Sequence, residues 1–253
     1  MPKKHPPTGN ALDNRPSPVM ASAQGFSIKT WYAIAGLLVL CVIFFSQVIF
    51  GAGNFWEDFI QLEFPNRVFA RDSLIHFEFP HWNPYSFNGM PFFATQLPGV
   101  LYPFNILISF LPFGINAFWY CTQMLLVLHY AIAGIAMFFF LKGKRYETGA
   151  AFFGATAYMF CGFSIVHAVH PMMIYVVVWL PLVLYFLDRA LQTGGLSWAL
   201  IGGIILGATT LSGHPQITLY EFTFIAVYSA AFFLTLEKKE WTRLLMPAVL
   251  LSV

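Results

Sequence analysis

Four short strings hold the residue types from which acid–base or metal chemistry is built. Two carboxylates are adjacent at Glu57-Asp58. His167 and His170 stand three apart, on one face if a helix runs that far. His214 lies in Gly213-His214-Pro215-Gln216, a tight turn between two apolar runs. A positioned carboxylate can take a proton from an attacking hydroxyl, or hold a divalent cation. The His167/His170 spacing suits a metal, but two histidines without a neighbouring acid are a weak metal pattern, and interfacial polarity explains them as well. Glu221 sits inside an apolar run, where an acid costs about 2.5–3.5 kcal/mol by insertion scales, so it should face the bundle or be protonated.

The elements that must position these groups are those of a membrane protein. The chain has 253 residues, 58% hydrophobic and 9% charged, against about 25% charged in soluble domains. The net charge of +2 carries no signature of a nucleic-acid partner. Cys41, Cys121 and Cys161 all lie in apolar runs and read as small hydrophobes, not as a disulfide framework. Apolar runs at 31–50, 117–141, 149–166, 172–187, 197–211 and 217–236 are expected to span the membrane. Pro181 interrupts the fourth. A seventh run opens at 244 and stops at 253. Run 31–50 is too long for the core of a signal peptide and is read as a retained span.

The expected fold is therefore an all-α polytopic membrane protein of six to seven transmembrane helices. Residues 1–30 form a disordered cytoplasmic tail, 31–50 the first helix, 51–116 a long folded outer loop with interfacial helices, and 117–253 a bundle expected to be cut short at its C-terminus. Of the 13 lysines and arginines, all but Arg67 and Arg71 fall on one side of these spans. That asymmetry puts the N-terminus in the cytoplasm and the long loop outside. His76, His81, His167, His170 and His214 then share the outer face with Glu57 and Asp58.

Within the loop, 54–75 is expected to lie along the membrane surface, with Phe55, Phe59, Leu62 and Phe69 dipping into lipid. Asp58, Gln61 and Arg67 would face elsewhere, and Pro65 would bend the helix. Glu57 and Asp58, about 100° apart on such a helix, would not both face one cleft. Residues 79–93, FPHWNPYSFNGMPFF, are turn-rich, with Asn83-Pro84 and Asn88-Gly89 as turn starters. So many rings call for a folded segment.

"ED" at Glu57-Asp58, "NRVFARDSL", "FPHWNPYSFNGMPF" and "LYPFNIL" resemble the first outer loop of the bacterial YfhO family, and "SGHPQITLY" resembles a later element of it. The similarity runs from about Trp31 to the end and covers the N-terminal part of a typical member. Phe77 and Asn88 stand where glycines are common. The resemblance implies a GT-C-type glycosyltransferase of the bacterial cytoplasmic membrane. It would move a sugar from a polyprenyl-phosphate donor to a cell-envelope glycan, lipid or protein acceptor on the outer face. Asp58 would be the catalytic residue by position, with Glu57 beside it, as general base or as ligand of a divalent cation (Mg or Mn). Arg67, Arg71 or a protonated histidine would meet the leaving phosphate. Trp82 and Asn83 would belong to a cover over the cleft, which His167, His170, His214 and Gln216 would line. A non-catalytic subunit or scaffold of a larger membrane complex is the alternative. A transporter fits less well, because the polar residues gather at the outer surface and not at the midplane.

Overall fold

The computed structural model describes residues 28–95 and 99–234. Every apolar run within them is helical. Helix α1 (Ile28–Phe44) continues after a break at Phe45 into α2 (Ser46–Ile49). It begins at Ile28, inside the segment expected to be a disordered tail. A long helix, α5 (Ile115–Gly143), forms the centre. Around it lie α6 (Thr148–Met159), α7 (Gly162–Val166), α8 (Pro171–Val177), α9 (Leu180–Thr193), α10 (Leu196–Thr210) and α11 (Pro215–Leu234). Helices α1, α6, α8 and α9 pack directly on α5. Leu37, Leu126, Phe138, Ala151 and Ile174 are fully buried in the core they share.

The helices agree with an all-α membrane protein. Among the described residues, four stretches are long and apolar enough to cross a membrane: Ile115–Gly143, Thr148–Val169, Pro171–Thr193 and Pro215–Leu234. Lys29–Phe44 and Leu196–Thr210 are apolar but shorter. The 15 residues of α10 reach only about 22 Å, less than a hydrocarbon core. The run at 244–253 and the tail up to residue 27 lie outside the described residues.

Pro181 breaks the fourth run as its chemistry requires. It has no N–H to give the carbonyl of Val177, four residues back. The Tyr158 hydroxyl from α6 donates to that carbonyl at 2.5 Å, so the freed acceptor is satisfied by a neighbouring helix.

The long loop after α2 is folded. A π-helical turn (Phe59–Glu63) runs into α3 (Phe64–Ile75), followed by a two-stranded hairpin of β1 (Trp82–Asn83) and β2 (Met90–Pro91). A 3-10 turn (Phe93–Thr95) and α4 (Pro103–Ser109) complete it. Two of the orientations expected along this segment are reversed. Phe59 is fully buried and packs edge-on against Trp119 of α5. Arg67, expected to face away, points inward at 4% exposure and pairs at 2.6 Å with Glu63, itself 3% exposed. Arg67 also donates to the Asn105 side chain on α4 and lies over the Tyr175 ring. An inward arginine is tolerated because a carboxylate one turn away neutralises it.

A second polar anchor ties the loop to the bundle. The Tyr102 hydroxyl donates to Nε2 of His129 at 2.6 Å and accepts the indole N–H of Trp179 at 2.9 Å. His129 Nδ1–H donates to the Leu125 carbonyl at 2.7 Å. These partners assign the neutral tautomer with the proton on Nδ1.

Helix α3 ends in a Schellman turn. The Glu78 N–H bonds to the Ser73 carbonyl and the Phe77 N–H to that of Leu74. The turn forces Phe77 to φ +57, and Asn88 in the hairpin reaches φ +59. Both are the positions where the resembled family commonly has glycine. A side chain in this region costs about 1–2 kcal/mol, part of which glycine gives back through its freer unfolded chain. Because Phe77 is 91% exposed, Phe77→Gly should stabilise the protein by about 0.5–1 kcal/mol. A fall in the melting temperature of the detergent-solubilised protein would contradict this.

Candidate acid–base site at one end of the bundle

The chain entering the site is held by α5. Gln123 accepts the Phe55 N–H at 3.0 Å and donates to the Asn54 side chain at 3.1 Å. Trp119 donates to the same Asn54 oxygen. Past this clamp the backbone turns sharply at Glu57, φ +51, whose carbonyl accepts the N–H groups of Ile60 and Gln61. Glu57 therefore precedes the helix and is not one of its positions, which replaces the expected 100° relation to Asp58. The turn presents Asp58 at the start of the π-helical stretch.

Asp58 Oδ2 lies 2.9 Å from His170 Nε2. His170 caps α8, where Pro171 fixes the first helical position. The His170 N–H bonds to the His167 carbonyl, and the two Nδ1 atoms are 3.4 Å apart. With the His170 proton on Nε2 facing the carboxylate, its Nδ1 is free to accept from His167. The acid missing beside the two histidines in the sequence is thus supplied from 112 positions away. Side-chain exposures of 52% for Asp58 and 27% for His170 leave the pair open to a reactant.

His214 joins from the turn before α11. Gly213 takes φ +104 there, and His214 Nδ1 accepts the Ile217 N–H at 3.3 Å. Burial lowers the His214 pKa from its ordinary 6.5; a backbone hydrogen bond works against this, and the charges of His167 and His170 lower it further. The imidazole is therefore neutral at pH 7, and its Nε2 carries the proton. Unfolded His214 takes up a proton first as pH falls, so folding loses stability below about pH 6.5 and through the lowered folded value. His214→Gln should flatten that loss, measured as the drop in melting temperature between pH 7.5 and 5.5. Equal drops in both proteins would refute it.

The family model described as bacterial membrane protein YfhO matches residues 100–206. The chain is YfhO-like. The matched stretch runs from the end of the long loop into α10 and includes Tyr102, Asn105, His129, His167 and His170; Asp58 and His214 lie outside it. No curated protein and no solved structure matches.

Other residues expected at the site of this YfhO-like membrane protein stand elsewhere. Arg67 is sealed in its pair with Glu63. Arg71 donates to the carbonyls of Ser109, Leu111 and Phe113 and lies over the Phe118 ring, bracing α4 and the turn after it. Asn83 is buried and accepts the Tyr85 N–H, shaping the hairpin. Trp82 covers Gly89, where an added Cβ would meet its ring at 2.7 Å. Gln216 donates to Tyr220 one turn along α11. Glu221 faces the bundle at 4% exposure and accepts from Thr209.

Among the described residues, no three acid, imidazole or thiol groups gather so as to hold a metal ion. Gln123, which fixes the entry to the site, was not singled out from the sequence; its only signal is an amide in an apolar run.

Proposed function

We propose that this YfhO-like protein is a membrane glycosyltransferase. It passes a sugar from a polyprenyl-phosphate donor to a cell-envelope acceptor at the outer face of the bacterial cytoplasmic membrane. The observation that carries the reading is the 2.9 Å bond between Asp58 and His170. It joins a carboxylate and an imidazole from separate segments at the loop end of the bundle, partly open to solvent.

The chemistry needs such a pair. The acceptor oxygen attacks the anomeric carbon and forms the new glycosidic bond. The bond from that carbon to the phosphate oxygen breaks, and its electron pair leaves with the phosphate. The acceptor proton passes to the Asp58 carboxylate, which the His170 imidazole orients. With Arg67 and Arg71 engaged by protein groups, the Nε2–H of His214 is a donor at hand for the leaving phosphate. The exposed apolar side chains of α11, Leu219 and Phe224 among them, suit a bilayer or a lipid-linked donor beside the site.

The test supplies membranes bearing the full-length protein with radiolabelled polyprenyl-phosphate sugars. Label should appear in outer-face acceptors only with the protein and a donor present. Absence of transfer from every donor tried would move the scaffold reading ahead.

A further inference from the structure

Away from Asp58, the long loop forms an open recess of about 310 Å³ between the end of α3 and the hairpin. Its walls include Asp72, His76, Glu78, His81, Trp82 and Tyr85. The volume lies in the range of small-ligand sites, roughly 300–1,000 Å³. Trp82 and Tyr85 are 57% and 85% exposed, far more than packing alone calls for. They are nevertheless held in place. Trp82 is seated on Gly89. Tyr85 meets Phe69 edge-on, and the Phe92 N–H bonds to the His81 carbonyl at 2.8 Å.

The lining decides which ligand chemistry fits. An apolar ligand would strip water from Asp72 and Glu78 without pairing them, which is costly. A phosphate would meet two carboxylates, and no lysine or arginine among the described residues lines the recess. A metal ion finds no three donors gathered among the described residues. A sugar ring satisfies both kinds of wall. Its C–H faces stack on aromatic rings, and its hydroxyls donate to carboxylates and pair with imidazoles.

We propose that this recess is a saccharide-binding site for a neutral or amino-bearing sugar unit of the acceptor, separate from the Asp58–His170 pair. Its identity as the acceptor side rests on the transfer reading above; its affinity for sugar does not. The acidic lining keeps the phosphate-bearing donor out, so the two substrates are sorted by charge before they reach the acid–base pair.

The full-length protein in lipid nanodiscs is titrated with methyl glucoside, glucosamine and glucose 1-phosphate, and binding is followed by saturation-transfer NMR. The first two should bind saturably, and glucose 1-phosphate about tenfold more weakly or worse. Tyr85→Ala and Glu78→Gln, both at exposed positions, should each weaken binding about tenfold, while Asp58→Asn leaves it unchanged. Binding of glucose 1-phosphate as tight as that of methyl glucoside overturns the proposal. So does wild-type binding by both recess variants, or no binding of any sugar. Sugar binding without transfer from any donor sinks the transferase reading and leaves the recess standing. Asp58-dependent transfer with unaltered sugar binding in Tyr85→Ala and Glu78→Gln does the reverse.

Discussion

Asp58→Asn is expected to cut sugar transfer by about 10²–10⁴-fold, the range for losing a positioned general base, with insertion and folding unchanged. The amide is nearly the same size as the carboxylate and can still accept from His170 Nε2, so the geometry of the turn survives. What it cannot do is take the acceptor proton. Because the Asp58 side chain is 52% exposed, its replacement leaves no buried charge behind. His170→Gln is expected to act more mildly, since the carboxylate remains and loses only its orienting partner. Initial rates with labelled donor, at matched protein in the membrane, separate the two. Transfer at the wild-type rate by Asp58→Asn would remove this residue from the mechanism.

Arg67→Met should destabilise the protein by about 3–5 kcal/mol, the usual cost of removing one member of a buried ion pair. Burial by itself would lower the Arg67 pKa, but the Glu63 carboxylate and nearby tyrosines more than offset it, and the guanidinium stays charged. Removing it strands Glu63 at 3% exposure and leaves Asn105 without its guanidinium partner. Helix α3 would then be tied to α4 and the turn after it through Arg71. Changing both members, Arg67→Met with Glu63→Gln, should recover much of the loss, because no unpaired charge is left inside. Thermal unfolding in detergent reads both variants. A substrate-binding Arg67 would behave oppositely, with normal stability and a raised KM for the donor.

The contrast between these residues shows where reading the chain succeeds. Apolar runs of about 20 residues have one structural solution in lipid, so the helices could be placed from composition and length. The break at Pro181 followed from the missing N–H, and the turns at Asn83-Pro84 and Asn88-Gly89 from local backbone preference. Each of these is a property of a few adjacent residues.

The direction faced by α3 was not of this kind. A pattern of phenylalanines and charges is compatible with lying on lipid or with packing against protein. Which one wins depends on Asn105 of α4 and Tyr175 of α8 arriving around the Arg67–Glu63 pair from separate segments. The site has the same character. Asp58, His167, His170 and His214 were each visible as polar residues near the ends of apolar runs, and their residue types limited the chemistry to acid–base or ligand roles. That His170, and not Glu57 or Arg67, meets Asp58 depends on the Gln123 clamp, the turn at Glu57 and the start of α8 coming together. Local propensity and hydrophobicity act over one or two turns and are written in neighbouring residues. A hydrogen bond across 112 positions exists only once the helices have packed and closed the loop upon them.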